Sequence, residues 1–229
     1  MESNVEAIAK DLMLRSGAMS AGASIDAKDT LHPEIDAFVR ESLKAGSQLM
    51  ASCASLAVGP NELAVNVLVR SIIELSLKVH WATLSSDNAK HLLALSTEQI
   101  KTIFRANAQT GIAKIVDRQG NDFTAEFLAS GRAERGQKQV SLEVMAQQSG
   151  LHGIYNLFYR FQSMHSHGNS VSGSSALTTP STLGVVGVFS ILLGHLGVRW
   201  LVHRSRPDNE EIRLLLGLGA NGDNGVRFI

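Results

Sequence analysis

Cysteine, proline and aromatic side chains are scarce in this chain, and net charge is absent. The single cysteine among 229 residues, Cys53, excludes an intramolecular disulfide, and no Cys/His pair stands at zinc-ligand spacing. Its Ala- and Leu-rich surroundings read as those of a small buried hydrophobe rather than a nucleophile. Only four prolines interrupt the chain, and aromatics make up 5% of it, so the apolar weight falls on Leu, Ala, Val and Ile. That mixture favours helices over a sandwich or barrel. Nothing alternates at period two for long, and no repeat of solenoid length recurs. The formal charge is zero, from 21 basic and 21 acidic residues, which sets aside wholesale electrostatic capture of nucleic acid but not a local basic patch. Glu2, Glu6 and Asp11, with no long apolar run beside them, exclude a secretory signal. The one candidate membrane span, Leu183 to Val202, is interrupted by His195 and Arg199 and diluted by four glycines. It reads as a buried core helix, with the cytoplasm as the expected compartment and no membrane partner.

What remains is helical pattern. Residues 1–30 read as a short amphipathic helix, ending near Ser16, and a flexible arm rich in Gly, Ala and Ser. Residues 31–219 form a single all-α domain, and 220–229 a tail. Pro33 opens a helix running to about Ala57, which Gly59-Pro60-Asn61 ends. From Glu62 to Leu84 the chain is apolar almost all round, so this helix is expected at the centre. Its polar residues, Asn66, Arg70, Glu74 and Lys78, fall in one stripe at steps of four. Arg70 and Glu74 are an i,i+4 pair in the weaker order, basic residue first. Two readings stand: a narrow solvated seam, to which spacing alone leans, or a buried ion pair bracing a polar site. Ser86-Asp87 opens a short helix to about Leu95. Ser96-Thr97-Glu98-Gln99 then resembles a capping box, opening a helix through Ile112 and Val116. Phe123 to Leu128 is helical, Arg132, Arg135 and Lys138 mark a charged turn, and Ser141 caps a helix to Gln148. A Ser/Thr/Gly-rich loop follows Gly168, and helices from Leu183 to Arg204 and Asn209 to Leu218 close the fold.

The densest chemistry lies in Leu151 to Gly168. Leu151, Ile154, Tyr155, Phe158 and Phe161 recur at steps of three and four as one buried helix face. Beside them run Asn156, Arg160, Ser163 and His167. In a regular helix Arg160 and His167 project within roughly 20° of each other, and His165 about 140° away from Arg160. Gly168 is a natural stop, placing His167 in the last turn, where the helix dipole favours a charged imidazole. Solvated or capping roles are the commoner fate of such residues, so spacing makes a site candidate and no more.

Taken together, Arg70-x-x-x-Glu74 and Tyr159-Arg160-x-x-Ser163-x-x-x-His167-Gly168 resemble an uncharacterised bacterial family, domain of unknown function 5677, over roughly Pro33 to Trp200. That family is similar in pattern to the HEPN superfamily of helical bundles, marked by an arginine, four to six residues and a histidine. Arg160 satisfies the spacing with either His165 or His167. Phe161 stands where HEPN nucleases commonly carry a polar residue, a departure that bears on activity more than on fold. The resemblance implies a HEPN-like bundle with additional N- and C-terminal helices, acting as a metal-independent endoribonuclease, in the setting of a toxin or phage-defence effector. Arg160 would clamp phosphate, His167 would move the proton, and Ser163 would orient either. Two helix turns separate Arg160 from His167 by roughly 10 Å, so a homodimer is expected to tighten the site. Arg70 and Glu74, with Tyr159 and Asn156, would line or brace the cleft. The expected substrate is RNA, the expected partner an antitoxin or regulatory protein, and no cofactor or metal is expected. The rival reading is a non-catalytic helical module binding a nucleotide or protein through the same cleft.

Overall fold

A computed structural model describes residues 4–26, 31–59, 61–108, 114–129, 140–160 and 179–215. Among them the fold is all-α, with one isolated bridge, Val116 to Asp122, as its sole extended pairing. Four long helices form the body: α1 (Asn4–Ala23), α2 (Pro33–Ala57), α3 (Glu62–Ala82) and α8 (Thr179–His203). Around them lie α4 (Ser86–Ala108), α5 (Thr124–Ala129), α6 (Leu142–Gln148), the single turn α7 (His152–Ile154) and α9 (Asn209–Leu215). The side-chain bonds set the directions. Thr182 donates to Asn66 and Ser76 to the Phe189 carbonyl, so α8 runs parallel to α3. Ser16 meets Ser47 at 3.0 Å, while Arg40 donates to the Ala23 carbonyl, so α1 and α2 are antiparallel.

Helix α3 packs against α2, α4, α6 and α8, the central place its apolar sequence predicts, and α8 lies against α1, α2 and α3. Leu183, Val186, Phe189, Leu193 and Leu196 recur at steps of three and four and are wholly buried, each contributing about 1.5–3 kcal/mol of transfer free energy. By length and composition Ser181–His203 is also apolar enough to cross a membrane. The same apolarity is what a helix packed against α1, α2 and α3 requires.

Small residues let these helices approach closely. A Cβ built on Gly197 would lie 2.7 Å from Leu43 Cδ2 and 2.9 Å from its Cγ. Leu43 is fully buried, so it would have to shift within a packed core. Gly197→Ala is therefore expected to cost about 1–2 kcal/mol, overpacking outweighing the gain of helix propensity. Urea unfolding checks this; a stabilised variant would show that α2 and α8 can part without loss.

Four departures from the sequence reading have physical causes. Helix α1 continues to Ala23 instead of ending near Ser16, because the small residues read as a linker are packing residues. Ser16, Met19, Gly22 and Ala23 are buried, and a Cβ on Gly22 would lie 2.8 Å from Val198. Helix α4 is one unbroken element, so the capping-box sequence at 96–99 lies within a helix. Ala89 and Leu92 before it, and buried Lys101 after it, are gathered by one continuous helix. Val116 is not helical: Phe123 N–H donates to the Ile115 carbonyl, and Gly120 at φ 88° turns the chain back. Finally, the stretch after Leu151 is not a regular α-helix, as described below. Ser141 does cap α6, accepting from the Val144 N–H, and α8 begins a turn earlier than Leu183. Cys53 is buried, and burial pushes its thiol up to about 12.

Candidate functional site

The polar stripe of α3 changes character along its length. Steps of four drift by about 40° each, so the stripe winds from the interior to the surface. Asn66 is buried against α8, where its side-chain oxygen accepts from Thr182. Arg70 and Glu74 are part-buried, and Lys78 reaches Glu74 from the outer side at 3.8 Å. Arg70 and Glu74 are thus neither a freely solvated seam nor a fully buried pair, and both face a third partner.

That partner is Tyr159. Arg70 Nη2 donates to the Tyr159 hydroxyl at 3.0 Å, and the hydroxyl donates to Glu74 Oε1 at 3.0 Å. Arg70 Nε donates to the same carboxylate oxygen at 3.2 Å, closing a ring of three side chains. The guanidinium also lies 5.2 Å from the centroid of the Tyr159 ring. Burial raises the Tyr159 pKa; Glu74 adds to the rise and Arg70 opposes it. The phenol therefore stays protonated and serves as a donor. Burial works against the charge on Arg70, but the bond to Tyr159 and the field of Glu74 hold its pKa above the ordinary value.

Tyr159 ends a π-helical turn, Tyr155–Tyr159, in which the Arg160 N–H donates to the Tyr155 carbonyl five residues back. Gly150, at φ 75°, turns the chain out of α6, and Leu151, buried, anchors the entry. His152, Tyr155 and Tyr159 then stack, with ring centroids 6.3 Å and 5.0 Å apart. A π turn adds one residue to the helix frame, so the expected alignment of Asn156 with Arg160 is lost. Asn156 instead meets the His152 ring nitrogen Nε2 at 3.2 Å. Arg160 turns to Glu143 on α6: Nη2 donates to Oε1 at 3.0 Å, and the guanidinium carbon sits 5.8 Å from the Tyr155 ring centre. Glu143 Oε1 is also 3.4 Å from His152 Nε2. The Arg160 side chain remains 59% exposed, which leaves its other nitrogens open to a ligand.

Of the residues singled out by sequence, Arg70, Glu74 and Tyr159 come together. Arg160 and Asn156 sit on the adjoining exposed surface with their own partners. Ser163, His165 and His167 lie outside the described residues, as do Phe161 and the basic run Arg132, Arg135 and Lys138. Glu143 and His152 were not singled out. Glu143 reads in sequence only as an acid in the first turn of a capped helix, and its 17-residue separation from Arg160 carries no periodic signal.

A groove of about 650 Å³ opens beside the ring, its lining including Glu74, Lys78, Tyr159, Phe38, Leu92 and Met145. A larger open groove, about 810 Å³, lies on α8 around His195, Arg199 and His203, where Glu211 of α9 bonds both His195 and Arg199. That carboxylate anchors α9, whose Ile212 is buried, so the second groove reads as packing of the last helix. Among the described residues, no group of three His, Cys, Asp or Glu side chains is arranged to hold a metal ion.

A family model described as "Family of unknown function (DUF5677)" matches residues 42–181, a span that includes Arg70, Glu74, Tyr159 and Arg160. No curated protein and no solved structure matches the chain.

Proposed function

We propose, from the premise that the chain belongs to the family of unknown function DUF5677, that it is a HEPN-like, metal-independent endoribonuclease. Arg160 holds the scissile phosphate, and His167 moves the proton. The observation that carries this reading is the closure of two sequence-distant motifs on one another. Tyr159, immediately before Arg160, is locked into Arg70 and Glu74, 89 and 85 residues away in the chain. Such a lock fixes the backbone from which an exposed guanidinium projects, which is what a phosphate clamp needs.

In the reaction, the 2′-hydroxyl oxygen bonds to phosphorus as the bond from phosphorus to the 5′ oxygen breaks. His167 takes the proton from the 2′-hydroxyl and returns it to the departing 5′ oxygen. Arg160 bears the charge that grows on the non-bridging oxygens. A homodimer, a cytoplasmic location, a toxin or phage-defence role and control by an antitoxin belong to the same proposal.

The test is cleavage of a mixed RNA pool in EDTA by wild-type, Arg160→Ala and His167→Ala proteins, each matched for helicity and oligomeric mass. Wild-type cleavage leaving 2′,3′-cyclic phosphate ends is expected, with loss of about 100-fold or more in each variant. Cleavage that survives in both variants would place the activity elsewhere.

One observation favours the rival binding module. The Glu143 carboxylate already occupies one nitrogen of Arg160, as in a structural network serving a partner rather than a reaction. RNA bound but left intact by well-folded protein would select that reading.

A further inference from the structure

We infer that Glu143 is a built-in occupant of the Arg160 phosphate site, an internal anion that single-stranded RNA must displace in order to engage. The inference rests on the reading of Arg160 as the phosphate clamp, and adds how that clamp is held in reserve. Among the described residues Arg160 has two partners, the Glu143 carboxylate oxygen at 3.0 Å and the face of Tyr155 at 5.8 Å. A carboxylate oxygen on a guanidinium nitrogen occupies the place a phosphate oxygen would take.

Three features make the exchange inexpensive. The pair is exposed, with 59% of the Arg160 side chain and 38% of the Glu143 side chain open to solvent, so water screens it and its net strength is small. Glu143 also lies 3.4 Å from His152 Nε2, a neighbour whose position does not depend on Arg160. Arg160 in turn keeps its seat over Tyr155, because ring contact and ion pair use different faces and edges of the guanidinium. The clamp thus stays aimed whether or not Glu143 is on it. The contrast with Arg70 is direct. Its guanidinium is 22% exposed and bonds both Glu74 and Tyr159, so displacing it would break the ring that holds Tyr159.

The experiment measures binding rather than cleavage, so that it separates the two readings. A fluorescent single-stranded 2′-O-methyl RNA, which lacks the attacking hydroxyl, is titrated in EDTA by fluorescence anisotropy. The proteins are the 229-residue wild-type chain, Glu143→Gln, Arg160→Ala and the double variant, with folding checked by circular dichroism. Glu143→Gln is expected to bind about two- to fivefold tighter. The slope of log K against log salt should steepen by up to about 0.7, because one more phosphate is neutralised by an uncompensated cation. Arg160→Ala should bind more weakly than wild type, and adding Glu143→Gln to it should change nothing further. Tightening that persists in the Arg160→Ala background would be a bulk charge effect and would overturn the inference. So would unchanged affinity in Glu143→Gln when Arg160→Ala alone weakens binding, a result that leaves the clamp intact. Equal affinity of wild type and Arg160→Ala would overturn the clamp itself, and the inference with it.

Discussion

Acidification from pH 7 to pH 4 is expected to remove about 3 kcal/mol of stability through one residue, His80, and His80→Leu is expected to abolish that loss. His80 lies near the end of α3, fully buried, with neither ring nitrogen hydrogen-bonded among the described residues. Burial, with smaller contributions from Arg206 and His195, lowers its pKa from 6.5 to about 3. The unfolded chain therefore takes up a proton on this ring as pH falls through 6.5, while the folded chain stays neutral until about pH 3. More protons on the unfolded state mean that stability falls with falling pH, by up to about 1.4 kcal/mol per unit across that window, and is fully present above it. Leucine fills similar space and brings no unpaired polar atoms, so the variant should be at least as stable as wild type at pH 7. Urea unfolding of both proteins at pH 7 and pH 4 decides it. Parallel losses in the two would mean that the ring is reached by water or a partner in solution.

His80 also shows where sequence reading stops. At its position in an apolar helix nothing distinguishes a buried imidazole from a solvated one. The long helices were legible because burial repeats at 3.6 residues and because Pro33 and Gly59-Pro60-Asn61 punctuate it. The all-α class followed from that. The true end of helix α1 is not legible in sequence because Ser16 and Gly22 look alike whether they serve a loose linker or a tight crossing; only Ser47 and Val198 across the interface tell them apart. Arg70 and Glu74 were visible as an i,i+4 pair. Spacing could not say that the pair holds Tyr159, since that contact spans 85 residues and the intervening path is set by packing. The π turn was invisible for another reason. A single added residue in a helix frame leaves no mark on an apolar pattern only two turns long, yet it redirects Arg160 towards Glu143.

The same limit hid the other strong polar contact, and with it the second large effect. Arg204→Met is expected to destabilise the fold by about 3 kcal/mol, because it strands a buried charge. Asp36, in the first turn of α2, is 5% exposed and accepts from Trp200 Nε1 at 2.9 Å. Its counter-charge is Arg204, 3.1 Å away and itself 20% exposed. These contacts fasten the start of α2 to the end of α8, the antiparallel neighbour whose close approach at Gly197 leaves no slack. Arg204 takes φ 54°, a left-handed conformation that disfavours any side chain with a Cβ. Arginine earns its place there by reaching back to the Leu201 carbonyl at 3.0 Å, capping α8 while it meets Asp36. Asp36→Asn should cost less than Arg204→Met, since the amide oxygen can still accept from Trp200 and the Arg204 cation it leaves is 20% exposed and still bonded to the Leu201 carbonyl. In the double variant the stranded carboxylate is gone, so the two losses should fall short of their sum by about 2 kcal/mol. Losses that add within about 0.5 kcal/mol would show instead that Arg204 acts through its cap on α8 and not through Asp36.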